Sequence, residues 1–170
     1  MTNAPYIAPN TRNYAKSLAD LPDPSLALSR SGLESMQAMM AGETAGPPIS
    51  EGMNYAIDTV EKGRVVFRGA PLFAHCNPMG TVHGGWYGTI LDSCMACAVM
   101  TMVPQGSTYT TLEYKVNITR AIPVGTEVIA VGNVQHAGRS TGVANGEIRG
   151  AQDGKLYATG STTCIIMKVG

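Results

Sequence analysis

The chain has 170 residues, the size of a single domain that buries a sizeable core without disulfides or a metal. Its 12 basic and 12 acidic residues give a formal net charge of zero, which excludes a general electrostatic attraction to nucleic acid or to an anionic membrane. Only 14% of the residues are charged and 44% are hydrophobic, which excludes a disordered tail protein and indicates that self-association covers part of the surface.

The N-terminal part of the chain predicts an extension with one short helix. Several prolines and scattered charges mark the first 28 residues as loosely structured. Apolar residues at near-helical spacing then predict a helix over Leu28–Met40, with Ser29 or Ser31 as its N-cap. We therefore assign residues 1–48 to this extension and residues 49–170 to the main domain.

The main domain begins with a predicted hairpin and a long helix. Ile57–Glu61 and Arg64–Arg68 flank the two-residue turn Lys62-Gly63, a pattern typical of a β-hairpin. A loop follows, and an apolar stretch predicts a helix from about His83 to Val103. This stretch is almost long enough to span a membrane, but it carries Asp92 in its middle, which is costly in a bilayer.

That helix is therefore expected to be buried in a soluble protein. The N-terminus lacks a basic segment followed by an apolar one, so we expect no secretory signal and a cytoplasmic location.

Four segments rich in Thr, Val, Ile and Tyr then predict strands: Tyr109–Arg120, Thr126–His136, Val143–Arg149 and Leu156–Lys168.

The predicted order is β-β-α-β-β-β-β, with short connections that favour antiparallel neighbours. One apolar helix in such a chain has to be wrapped by the single sheet. The fold class is therefore α+β, with a curled antiparallel sheet around one long central helix and an N-terminal helical extension.

The segment before the helix carries the candidate chemistry. Gly84 and Gly85 open the helix, where unpaired N–H groups at the positive end of the dipole suit polarisation of a carbonyl and stabilisation of an oxyanion. The alternative is that the two glycines only permit a tight turn. Asp92 lies in an apolar helix where a carboxylate is normally avoided, which favours a role as general base or nucleophile over a structural hydrogen bond.

Three segments in fixed order resemble a known family. They are Asn77-Pro78-Met79-Gly80-Thr81-Val82-His83-Gly84-Gly85, Thr110-Thr111-Leu112-Glu113-Tyr114-Lys115-Val116 and His136-Ala137-Gly138-Arg139. From about residue 30 to residue 168 the chain resembles the hotdog-fold thioesterases of the phenylacetate-pathway (PaaI-like) family. In that family an Asn six residues before the His of His-Gly-Gly, and an Asp nine residues after it, form the active site, and Asn77, His83 and Asp92 fit these spacings.

The resemblance implies an acyl-CoA thioesterase that hydrolyses a small aryl-acyl or medium-chain thioester, with sites at the interface of dimers that often pair into tetramers. Thr111 matches a family position where a small hydroxyl places the water or the Asp. Ala96 stands where some related thioesterases carry a hydroxyl, which favours the branch with a strand hydroxyl. Coenzyme A is part of the substrate, so no cofactor is implied.

Helix geometry also implies two chains per site. Gly84 and Asp92 are eight residues apart, roughly 12 Å along a helix. One carbonyl has to reach both the oxyanion donor and the carboxylate. The Asp92 serving each Gly84 is therefore expected to come from a second copy, related by two-fold symmetry.

The remaining candidates support these residues. Asn77 is a candidate amide contact to the thioester or the water, with a turn residue before a proline as the alternative. His83 is expected to orient the loop rather than to transfer protons. Five further residues are candidates for binding the acyl and CoA moieties: Gly85, Trp86, Arg120, Arg139 and Ser140. The alternatives are a place in the core or on the solvated surface.

Two other functions remain open, and metal binding is not expected. An acyl-thioester hydratase or dehydratase would use a His with a carboxylate, and an acyl-CoA-binding regulatory domain would bind without turnover. Cys94 and Cys97 form a C-x-x-C pair, but inside an apolar helix and without a second ligand pair.

Overall fold

A computed structural model describes residues 13–169. In this part of the chain four α-helices and six β-strands alternate with short loops and two 3₁₀ turns. The helices are α1 (Pro24–Leu28), α2 (Gly32–Met40), α3 (Pro48–Gly52) and α4 (Gly84–Met100). The strands are β1 (Tyr55–Glu61), β2 (Arg64–Gly69), β3 (Ser107–Ile118), β4 (Val128–Ala137), β5 (Thr141–Gly150) and β6 (Leu156–Lys168).

The predicted order of the main-domain elements is confirmed, and so is the α+β hotdog fold. The six strands form one antiparallel sheet in the order β1-β2-β4-β5-β6-β3, which curves around α4. The predicted helix end at Val103 is wrong by three residues, because Thr101 caps α4: its hydroxyl donates to the Ala98 carbonyl and accepts from Gly63 N–H. None of the helices between residues 13 and 169 is long and apolar enough to cross a lipid bilayer.

The single helix predicted over Leu28–Met40 is wrong at its start. Leu28 ends α1, and Ser31 begins α2 through a capping box with Glu34. The break lies where Gly32 approaches the end of α4, because Gly32 N–H donates to the Val103 carbonyl over 2.9 Å. A β-carbon on Gly32 would overlap the Met100 carbonyl oxygen.

The predicted loose extension is ordered where the structure describes it. Ala15 is only 2% exposed, and Ala15 N–H donates to the Gly46 carbonyl over 3.0 Å. Residues 1–12 of the predicted extension lie outside the described residues. The short helix α3 was not predicted and crosses the predicted domain boundary, which stays a prediction.

Three glycines let the sheet approach α4 closely. Gly132 of β4 pairs with Gly146 of β5, which pairs with Gly160 of β6, so the three form a row across adjacent strands. β-Carbons on Gly146 and Gly160 would press on the side chain of Met95, and one on Gly132 would overlap the Cys94 carbonyl oxygen. This glycine row fixes the middle of α4 against the sheet, next to Asp92.

We expect Gly132→Ala to lower the free energy of unfolding by about 2 kcal/mol or more, because the added methyl group meets backbone that has little room to move. At this chain length each kcal/mol lowers the melting temperature by about 2–4 °C. The matched control is Gly52→Ala, where a β-carbon would meet nothing within 4 Å. Equal melting temperatures for the two variants would contradict the close approach.

Candidate active site

The N-terminus of α4 presents one open backbone donor. His83 is the N-cap of α4, and its Nδ1 accepts a hydrogen bond from Gly85 N–H over 2.8 Å. The Gly84 N–H, by contrast, has no hydrogen-bond acceptor among residues 13–169, and Gly84 is exposed. This N–H therefore remains available, at the positive end of the helix dipole, to a carbonyl oxygen from outside.

Asn77 shapes the loop that leads to this donor. Its Oδ1 accepts from the backbone N–H groups of Met79 and Thr81 at 3.0 and 3.2 Å, and its Nδ2 donates to Thr81 Oγ1 at 2.8 Å. The structure thus shows the turn role of Asn77, and the contact with substrate stays a prediction.

A buried histidine that sequence reasoning missed supports the same loop. His75 Nδ1 accepts from Leu72 N–H over 2.9 Å, and its Nε2 lies 2.8 Å from the Gly52 carbonyl oxygen. The His75 carbonyl in turn accepts from His83 N–H over 2.8 Å. His75 therefore ties α3 to the residue that caps α4.

Asp92 lies half-buried in the middle of α4 and has one side-chain partner. Thr111 Oγ1 donates to Asp92 Oδ1 over 3.0 Å. Burial raises the pKa of Asp92 above its usual 3.8, and the hydrogen bond from Thr111 opposes that rise. A carboxylate with a raised pKa is a stronger base than an exposed one.

A bulge in β3 lets alternate residues of this strand follow one face of α4. The register with β6 shifts between Thr111 and Glu113, so the strand carries one extra residue there. Tyr114 therefore faces the helix, as Thr111 does. The Tyr114 hydroxyl would lie 3.3 Å from a β-carbon on Gly88, a residue one helical turn before Asp92. Further along, Ile118 Cδ1 would lie 3.6 Å from a β-carbon on Gly84.

The predicted site residues divide between the two ends of this face. Gly84 lies at one end, together with Arg120, which follows β3 and whose carbonyl accepts from the Tyr87 hydroxyl. Asp92 and Thr111 lie about 12 Å further along the helix. The exposed Arg139 and Ser140 belong to the turn between β4 and β5, two strands across the sheet from Thr111. One chain does not bring all of these residues together.

Trp86, predicted as a possible ligand contact, belongs to the core. It is 2% exposed, its indole Nε1–H donates to the Met53 carbonyl over 2.8 Å, and its ring meets Tyr87 edge to face. The core alternative is therefore the one that the structure favours for Trp86.

Three residues beside Asp92 were also missed from the sequence. Tyr55 Oη lies 2.8 Å from Ser93 Oγ, and burial raises the pKa of Tyr55 to about 12. Tyr109 lies two residues before Thr111 on β3, and burial raises its pKa well above the usual value. Two sequence features could have indicated them: Ser93 directly follows Asp92, and Tyr109 lies on the same strand face as Thr111 because side chains alternate along a strand.

Residues 13–169 contain no group of three or more His, Cys, Asp and Glu side chains placed to hold a metal ion. The C-x-x-C pair lies within α4, and both of its cysteines are free.

Part of the chain matches the sequence pattern of a known protein family. Residues 79–157 match the sequence pattern of the thioesterase superfamily. The matched stretch contains α4, with both Gly84 and Asp92, and three of the six strands, β3, β4 and β5. The match covers 79 of the 170 residues, and the resemblance to PaaI-like hotdog thioesterases predicted from the sequence is confirmed.

Several individual relatives are similar. Mouse acyl-coenzyme A thioesterase 13 is 26% identical over 89 residues, which are 52% of this chain and 63%, less than two thirds, of the mouse protein. A solved phenylacetic acid degradation-related protein from Ralstonia eutropha is 28% identical, with a TM-score of 0.69 over 76% of this chain and 97% of that chain. A conserved protein from Pseudomonas aeruginosa is 30% identical, with a TM-score of 0.64 over 70% and 93% of the two chains.

The raised pKa of Asp92 predicts how Asp92→Asn changes stability with pH. Above pH 3.8 the folded chain holds the Asp92 proton more tightly than the unfolded chain, so ionisation of Asp92 costs stability as the pH rises through its folded pKa. Asn carries no such cost and still accepts from Thr111. We therefore expect the melting temperature of the variant, relative to wild type, to be higher at pH 7 than at pH 4. A difference that stays constant or falls with pH would contradict the buried carboxylate.

Proposed function

We propose that this protein hydrolyses acyl-CoA thioesters to a free acid and coenzyme A. The observation that carries the proposal is that α4 holds both the open Gly84 N–H and a half-buried carboxylate, Asp92. Thr111 of β3 donates a hydrogen bond to this carboxylate. The thioesterase superfamily and the mouse acyl-coenzyme A thioesterase support the same reaction.

The two groups fit the two needs of thioester hydrolysis. The Gly84 N–H stabilises the negative charge that develops on the carbonyl oxygen. Asp92 either takes the proton of an attacking water or attacks the carbonyl itself to form an anhydride that water then opens. In both cases the carbon–sulfur bond breaks and the sulfur of coenzyme A leaves as a thiolate, without prior protonation.

Each active site combines Gly84 of one chain with Asp92 of a second copy, because about 12 Å separates them within one helix. The positions of the two arginines fit this arrangement. Arg120 lies at the Gly84 end of the helix face, whereas Arg139 and Ser140 lie at the Asp92 end. A site formed by two chains would therefore surround one CoA molecule with Arg120 of one chain and with Arg139 and Ser140 of the other. β3 is also an edge strand, and it exposes Leu112 by 59%. Such an edge favours pairing with another copy.

The proposed substrates carry a small aryl-acyl or medium-chain acyl group, and dimers are expected to pair further into tetramers. The Ralstonia relative is described as related to phenylacetic acid degradation, which supports the aryl group. A cytoplasmic location belongs to the same proposal and is supported by four free cysteines.

Thiol release from a panel of acyl-CoAs tests the reaction. Wild type should release CoA, and Asp92→Asn should lower kcat/KM about a hundredfold or more, because the base or nucleophile is removed. Since the ionised carboxylate is the reactive form and burial raises its pKa, wild-type kcat/KM should rise with pH through a midpoint above 3.8.

Asp153→Asn, which alters an exposed carboxylate in a turn, is the matched control and should behave as wild type. Undiminished release by Asp92→Asn would refute the role of Asp92. Saturable binding without release would instead identify a binding domain, and loss of an enoyl-CoA double bond without release would identify a hydratase.

Gly84→Pro tests the oxyanion donor, because proline removes the N–H and is well tolerated at the first position of a helix. His83, the preceding residue, already has the extended backbone that proline requires, with ψ at 140°. We expect kcat to fall about 100- to 1,000-fold with an unchanged melting temperature. Gly84→Ala keeps the N–H and has room for its methyl group, so it should stay active.

Mixing the Gly84→Pro and Asp92→Asn proteins tests the shared site. A mixed dimer holds one site with both changes and one intact site, so random exchange should restore about a quarter of wild-type activity. Exchange of subunits without any recovery would show that both groups act within one chain.

A further inference from the structure

An apolar cavity lies beside Asp92, at the place where the sheet does not close around α4. The sheet ends in two edge strands, β1 and β3, and the cavity is lined by Ile57 from β1 and Tyr109 from β3. Its volume is about 220 Å³. None of its lining residues carries a formal charge.

The cavity is continuous with the proposed active site. Its wall includes Ser93, the residue directly after Asp92, and Cys97, about 8 Å along the helix from Asp92. Tyr109 is two residues before Thr111 on the same strand face, and Thr111 binds Asp92. The charge of Asp92 contributes to the raised pKa of both Cys97 and Tyr109, which places the carboxylate within electrostatic reach of the wall.

The outer wall of the cavity comes from the N-terminal extension. Leu21, Met36 and Met39 line it, and α2 packs against both β1 and α4. The extension is fixed to the main domain by the Gly32 N–H bond to Val103 and by the Tyr14 hydroxyl, which donates to the Tyr55 carbonyl over 3.3 Å. All of these extension residues precede residue 79, where the match to the thioesterase superfamily begins.

The size and lining of the cavity limit what it can hold. An apolar protein cavity of about 150 Å³ is large enough for benzene. A cavity of about 220 Å³ therefore has room for one aromatic ring or a short alkyl chain with a few further carbons. The serine hydroxyl of Ser93 is already paired with Tyr55, so the wall favours an uncharged, apolar group.

We propose that this cavity holds the acyl group of the thioester, and that Met39 and Leu21 of the N-terminal extension set the length of acyl group that fits. The inference rests on the proposed thioesterase activity and names its substrate class: compact, uncharged aryl-acyl or short to medium alkyl groups. The carbonyl lies at Asp92, the acyl group extends past Ser93 and Cys97, and coenzyme A extends toward the outside.

The test compares kcat/KM for straight-chain acyl-CoAs from acetyl to dodecanoyl, together with phenylacetyl-CoA, in the full chain. Met39→Ala enlarges the cavity and should move the preferred chain length upward, raising the ratio of long-chain to short-chain kcat/KM about tenfold. Met39→Phe should move it downward. Met40→Ala, which leaves the cavity lining unchanged, should hydrolyse acetyl-CoA at the wild-type rate.

Met40→Ala is the matched control, because it removes the same atoms from the same helix but Met40 does not line the cavity. Leu21→Ala is the second enlarging variant, at a position already 39% exposed and therefore of little consequence for folding. If Met39→Ala does not fold, Leu21→Ala tests whether enlarging the cavity changes the preferred chain length.

The failures of the two proposals are distinguishable. Absence of any acyl-CoA hydrolysis by wild type would refute the proposed function. Hydrolysis with the same chain-length profile in Met39→Ala, Leu21→Ala and Met40→Ala would overturn the cavity assignment while leaving the thioesterase activity in place.

Discussion

A helix as apolar as α4 has to be surrounded by other parts of the chain, and the row of paired glycines is what lets the sheet surround it. Where Gly132, Gly146 and Gly160 lack side chains, the backbone of the sheet approaches the helix around Met95. This close packing fixes the height and rotation of the helix. On the side of β3, Thr111 donates its hydrogen bond to Asp92 in the same part of the helix.

The position of α4 also explains why the proposed active site requires two chains. A single helix carries both the proposed oxyanion donor, the Gly84 N–H, and the carboxylate of Asp92, and no side-chain rotation closes a gap of about 12 Å between them. In the proposed dimer, two antiparallel copies of α4 would bring each Gly84 to the Asp92 of the other chain and so form two equivalent sites. The bulge in β3 contributes by turning Thr111 and Tyr114 to the same helix face, Thr111 beside Asp92 and Tyr114 beside Gly88, one turn earlier.

The chemistry and the choice of substrate belong to different parts of the chain. The residues proposed for catalysis are concentrated in the stretch that matches the thioesterase superfamily. The cavity proposed for the acyl group is closed by Leu21 and Met39, which lie outside that stretch. Because the two edges of the sheet leave one side of α4 uncovered, the extension forms the missing wall without altering the catalytic residues.

The sequence by itself determined the strands, the long helix and the resemblance to PaaI-like thioesterases, because periodicity and fixed offsets are local properties of a chain. The pairing of Gly84 with Asp92 in one active site stays a prediction. It did not determine the break before Gly32, the burial of Trp86 or the cavity at Met39. Each of these depends on contacts between residues far apart in sequence: the end of α4 against α2, a tryptophan against the segment before β1, and an extension against two sheet edges. Only the tertiary structure brings such partners together.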